Sequence, residues 1–117
     1  MLDLTKKFYE LLDEGIIYDT DENGLGMSYG EYAEIVNYGW ELIMNELNGI
    51  YNKLEWLNTL QDILNTADDD ACMFFGISED DLGLYIDEDD LSNCWMSDRI
   101  REMFNKVEFD DYDYEVA

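Results

Sequence analysis

Carboxylates are the chemistry this sequence offers. Among 117 residues there are 30 Asp or Glu, six Lys or Arg and no His, for a net charge of −24. Without His the commonest general base and metal ligand is missing. Cys72 and Cys94 sit in Ala-Cys-Met-Phe and Asn-Cys-Trp-Met, apolar settings with no cation or base nearby to activate a thiolate. They read as buried free thiols, with a disulfide as the alternative. Paired carboxylates of the kind glycosidases use occur throughout, so they single out nothing, and a chain this short leaves little room for a substrate cleft. The expectation is a protein that is not an enzyme.

Two motifs could hold an ion. Asp19-x-Asp21-x-Asn23-Gly24 supplies oxygen ligands at alternate positions before a turn glycine, and in this half it resembles an EF-hand loop. The second half departs: position twelve is Gly30, Glu31 comes one residue late, and position eight is Gly26. The expectation is no resident cofactor, with Ca2+ on Asp19, Asp21, Asn23 and Glu31 as the alternative. Gly24, Gly26 and Gly30 precede a helix start as in phosphate-binding loops. Asp19, Asp21 and Glu22 crowd them, and turn glycines are the simpler reading.

The carboxylates are concentrated. From Leu54 to Asp98 there are thirteen acidic residues and no Lys, Arg or His. The clusters Asp68, Asp69, Asp70, then Glu79, Asp80, Asp81, then Asp87, Glu88, Asp89, Asp90 alternate with the apolar knots Ala71–Phe75 and Leu82–Ile86. Most lack a basic residue three or four positions away, where a helix surface ordinarily pairs its charges. A net charge of about 2–8 already serves solubility in a small domain, and the excess destabilises by self-repulsion. The residues assigned to partner binding are these ten, supported by Asp110, Asp111 and Asp113. The partner they select is a positively charged protein; direct contact with nucleic acid or an anionic membrane is opposed by like charge.

The elements that must carry them are helical. Leu4, Phe8, Leu11 and Leu12 give one helical face over Asp3–Glu14. A turn-rich loop follows, and Ser28-x-x-Glu31 is a capping box for a second helix with Tyr32, Val36, Trp40, Ile43 and Leu47 inward, ending at Asn48-Gly49. Gly30 and Gly39 weaken it and allow close packing. Leu54, Leu57, Leu60, Ile63 and Leu64 place a third over Tyr51–Thr66. Residues 68–86 admit two short helices capped by Asp68 and Ser78, or a hairpin of Cys72–Ile77 with Leu82–Ile86. A last helix spans Leu91–Val107, with Met96, Ile100, Met103, Phe104 and Val107 inward. The fold class expected is mainly α: a single compact domain of about four to five helices over residues 1–107, a β-hairpin in 71–86 being the alternative. Residues 108–117 form an acidic tail or a docked strand.

Seventeen aromatic residues argue against a disordered acidic chain. The N-terminus lacks the pattern of a signal peptide, and no apolar run approaches membrane length. A cytoplasmic protein is expected, monomeric or homodimeric.

The amount of charge has a physical counterpart. Duplex DNA carries one negative charge per about 1.7 Å of axis. A domain of this length spans roughly 35 Å, a length on which DNA carries about 20 phosphates, close to the 24 net charges here. In size, charge and lack of His the chain resembles the small acidic phage-type inhibitors that mimic DNA, the anti-restriction and anti-CRISPR class. That class shares composition and no sequence motif, so no residue correspondence carries over. The resemblance implies an inhibitor occupying the nucleic-acid cleft of a bacterial defence or DNA-processing enzyme, a restriction enzyme or CRISPR effector, in the host cell of a phage. The alternative is a calcium-responsive or adaptor module that binds a basic protein.

Overall fold

Asp3 starts the first helix by accepting the Lys6 amide on its side chain at 3.1 Å, and α1 runs over Leu4–Asp13 with Leu4, Phe8 and Leu11 buried. The computed structural model describes residues 2–14 and 29–110, with Tyr29 and Glu31 described by their backbone alone. Five further helices follow: α2 (Tyr29–Leu47), α3 (Lys53–Leu64), α4 (Asp69–Phe74), α5 (Glu79–Leu82) and α6 (Asp98–Lys106), with a 3₁₀ turn at Leu91–Asn93. The chain is mainly α. Among the described residues it has six α-helices, consistent with the mainly α domain of about four to five expected, residues 68–86 forming the two short ones.

The hairpin alternative does not form. Asp68 accepts the Ala71 amide at 2.8 Å and starts α4; Ser78 and Asp81 cap α5 reciprocally. Between them α4 closes in a Schellman turn. Ile77 N–H donates to the Cys72 carbonyl at 2.9 Å, Gly76 N–H to that of Met73, and Gly76 takes a φ of +66°. Side-chain caps at both starts and a left-handed glycine between them favour helix over strand here. Extended pairing among the described residues is the single antiparallel bridge between Tyr85 and Trp95. That bridge also corrects the last helix. Cys94 is extended, Trp95 pairs in the bridge, Ser97 caps through its hydroxyl to the Ile100 amide (3.3 Å), and α6 begins at Asp98 rather than Leu91.

The helix α3 is central, with Trp56, Leu57, Leu60, Ile63 and Leu64 buried. It packs on α2 and α5, while α4 packs on α1 and α2. From α2 the buried apolar residues are Ile35, Trp40, Ile43 and Leu47; Tyr32 and Val36, expected inward, are only partly covered. Gly39 explains how closely α2 approaches α4. A Cβ built there would stand 2.6 Å from the Phe75 ring, which is fully buried.

Polar threads join the helix ends. Thr66 after α3 accepts the Leu4 amide on its hydroxyl (2.8 Å) and the Thr5 hydroxyl on its carbonyl (2.6 Å), and Thr5 accepts the Asp68 amide (2.8 Å). The starts of α1 and α4 are thereby fixed to the end of α3. Beyond α6, Phe109 meets Trp56 and Phe104 with ring centroids 6.0 and 4.8 Å away, and Asp110 N–H donates to the Tyr51 carbonyl at 2.9 Å. No helix among the described residues is long and apolar enough to cross a membrane.

Candidate functional site

The three acidic clusters coincide with three helical starts. Asp68 is the N-cap of α4, with Asp69 and Asp70 in its first turn; Glu79, Asp80 and Asp81 are the first turn of α5; Asp90 caps the 3₁₀ turn. A helix start exposes unpaired amides and the positive end of its dipole, so carboxylates are favourable there by about 0.3–1 kcal/mol each. Part of the clustering is therefore capping. Four of the ten carboxylates are committed to the fold.

Asp81 is the most committed and corrects its assignment to partner binding. It is only 3% exposed. Its Oδ2 accepts the Ser78 amide (2.9 Å) and hydroxyl (3.1 Å), and its Oδ1 accepts the Ser97 hydroxyl at 2.6 Å. Ser78 and Ser97 are the N-caps of α5 and α6. One buried carboxylate thus ties two helix starts together, stabilised by hydroxyl and amide donors where no cation is close in sequence. Position N3 of a capping box requires this inward turn. Asp68 is exposed but spends Oδ1 on the Ala71 amide. Asp87 is half-buried and accepts the Asp89 and Asp90 amides at 3.0 and 3.1 Å. Asp90 accepts the Ser92 amide at 3.1 Å.

The other six, Asp69, Asp70, Glu79, Asp80, Glu88 and Asp89, are exposed, and their side chains make no hydrogen bond or ion pair among the described residues. They stand on short elements whose backbones are held by the four committed ones. Asp110 is exposed as well. Asp111 and Asp113 lie outside the described residues, as do Asp19, Asp21 and Asn23 of the ion-binding loop; of Glu31 only its place in the first turn of α2 is described. Among the described residues no group of three His, Cys, Asp or Glu side chains gathers as a metal site.

Cations are placed elsewhere. Lys7 meets Glu10 at 3.3 Å on α1 and Lys106 meets Glu102 at 3.5 Å on α6. Arg99 stacks 4.8 Å over the Trp40 ring. Glu10, a neighbour by hydrogen bond, raises the pKa of Lys7.

Cys72 and Cys94 are both free thiols and half-buried, less covered than expected. Burial pushes the Cys72 thiol up, and Asp69, Asp68 and Asp81 add to the rise. A thiol held neutral by burial, with carboxylates adding to the effect, is a poor nucleophile. The concavities are small. Two of about 240 and 270 Å³ lie beside α2 and α6 and share Met44 and Lys106, and one of about 310 Å³ lies between Leu11 and Tyr38. None is lined by the acidic clusters.

Two aromatic side chains stand among the acids on the surface. Tyr85 is 52% and Trp95 45% exposed, whereas Trp40 and Trp56 are buried. Which of the rings are exposed was not legible in the sequence, because composition does not reveal which side of an isolated bridge a ring takes. No protein-family model, curated protein or solved structure matches the chain.

What the arrangement can do chemically is present fixed negative charge. Six carboxylates without partners among the described residues, four on helix starts and two on the loop before the 3₁₀ turn, offer oxygen acceptors at the surface, a form suited to meeting Lys and Arg side chains.

Proposed function

We propose that this protein is a DNA-mimic inhibitor: it enters the positively charged nucleic-acid cleft of a bacterial defence or DNA-processing enzyme and blocks access of DNA. The observation that carries the reading is the set of six exposed carboxylates without partners among the described residues, four in the first turns of the capped helices α4 and α5 and two, Glu88 and Asp89, on the loop before the 3₁₀ turn. Charge fixed on a folded surface does not pay an ordering cost on binding, as a disordered acidic tail does. It lies in a stretch of sequence with no cation to neutralise it. Restriction enzymes and CRISPR effectors are targets of the right chemistry, and such a protein would work in the cytoplasm of the host cell.

The committed carboxylates keep this surface in shape, and the free ones meet the partner. Reversing one free carboxylate per cluster, Asp70→Lys, Asp80→Lys and Asp89→Lys together, leaves every cap intact. The triple variant is expected to fold normally and to lose at least about tenfold in affinity for the target at low salt, mostly through slower association. Its salt dependence should also flatten. Unchanged affinity in the triple variant would assign the contact to another surface.

A further inference from the structure

We propose that Tyr85 and Trp95 form the apolar anchor of this docking surface, taking an apolar side chain carried on a basic segment of the partner protein; the proposal rests on the inhibitor reading above.

The two residues exchange both backbone hydrogen bonds, N–H to carbonyl at 3.0 Å each way. In a hydrogen-bonded antiparallel pair the opposed side chains share one side of the ladder, with Cα atoms about 5.5 Å apart. Gly83 lies against Trp95: a Cβ there would come 3.4 Å from Trp95 Cζ3, so this edge of the indole lies over bare backbone. Leu82, next in sequence, is 44% exposed. An exposed Trp and Tyr paired across one bridge make an apolar surface that marks interaction sites, and these are residues that dominate interface energies.

The surroundings select the occupant. Glu79 and Asp80 precede the patch on α5, and Glu88 and Asp89 lie on the loop that the Tyr85–Trp95 bridge closes. Exposed rings can stack on nucleic-acid bases, but these carboxylates repel phosphate. A second copy of the chain would bring another −24 against them. A protein segment with Lys or Arg around an apolar side chain satisfies both ring and rim. The backbone that carries the site is also preformed. Asp87 N–H points to Cys94 Sγ at 3.3 Å and the Asp87 carboxylate holds the following turn, so the loop between the two rings is held before binding.

Two synthetic helical peptides of equal charge test this, one patterned with Lys and Leu, the other with Lys and Ala. Binding of each to the full-length protein is measured across salt concentrations, with acrylamide quenching of tryptophan fluorescence as a second readout. The Lys/Leu peptide is expected to bind at least about tenfold tighter and to protect the quenchable tryptophan, since Trp40 and Trp56 are already buried. The double variant Tyr85→Ser, Trp95→Ser should abolish that preference while leaving Lys/Ala binding and its salt slope unchanged. Equal affinity of the two peptides, a preference that survives in the double variant, or unaltered quenching in the unmodified protein would overturn the anchor. Failure of the charge reading is separate: the Lys/Ala peptide would then bind the Asp70→Lys, Asp80→Lys, Asp89→Lys variant as well as the wild type.

Discussion

At the scale of single residues, neighbours of one type have divided roles. Asp80 and Asp81 are adjacent, yet one is exposed and the other holds Ser78 and Ser97. Asp81→Ala removes the acceptor for an amide and two hydroxyls and is expected to cost about 2–3 kcal/mol, whereas Asp80→Ala should change stability by no more than about 0.5 kcal/mol. Urea unfolding of the two variants measures the difference; equal losses would mean that Asp81 does not join the helix starts. Ser78-x-x-Asp81 already had the spacing of a cap in the sequence. The long-range half, Asp81 to Ser97, was not legible, because nothing local announces a contact sixteen residues away. Cys72 gives the pH-dependent case. Its thiol titrates higher folded than unfolded, so the stability gained by keeping it neutral is complete below the unfolded pKa and is lost as pH rises through the folded one. Unfolding between pH 8 and 10 should therefore weaken the wild type more than Cys72→Ala, and at pH 8 Cys72 should react with a thiol reagent more slowly than free cysteine. A fast Cys72 would contradict its placement beside Asp68, Asp69 and Asp81.

At the scale of elements, caps decide the fold as much as apolar periodicity does. The helical face at Leu4, Phe8 and Leu11 and the run Leu57, Leu60, Ile63, Leu64 were legible, because amphipathic spacing survives in any context that buries one side. The boundaries of α6 were not. Apolar residues from Leu91 onward extend the pattern, but Ser97 restarts the helix and the Tyr85–Trp95 bridge claims the residues before it. The contact between α2 and α4 depends on two small residues. Gly39→Ala places a methyl against Phe75, and Gly76→Ala combines a clash at Val36 (2.8 Å) with a left-handed φ. Overpacking of this kind costs about 1–3 kcal/mol, more than the roughly 1 kcal/mol that Ala contributes to a helix over Gly. Both variants should melt at lower temperature, Gly76→Ala the more so. A stabilised Gly39→Ala would show that the helices can separate without loss.

At the scale of the whole molecule, the fold turns excess charge into a fixed surface and tolerates the self-repulsion that follows. The excess of negative charge was legible in the sequence because charge totals do not depend on the fold. Which carboxylates face outward was not, since capping, burial and exposure are assigned only when helices pack. The direct test is capture from bacterial lysate on immobilised protein, with duplex DNA as competitor and washes of rising salt. A DNA mimic should retain one nucleic-acid-binding enzyme, release it as DNA is added, and lose it steeply as salt increases. A retained partner that DNA does not displace, or a diffuse set of basic proteins all lost at modest salt, would contradict mimicry.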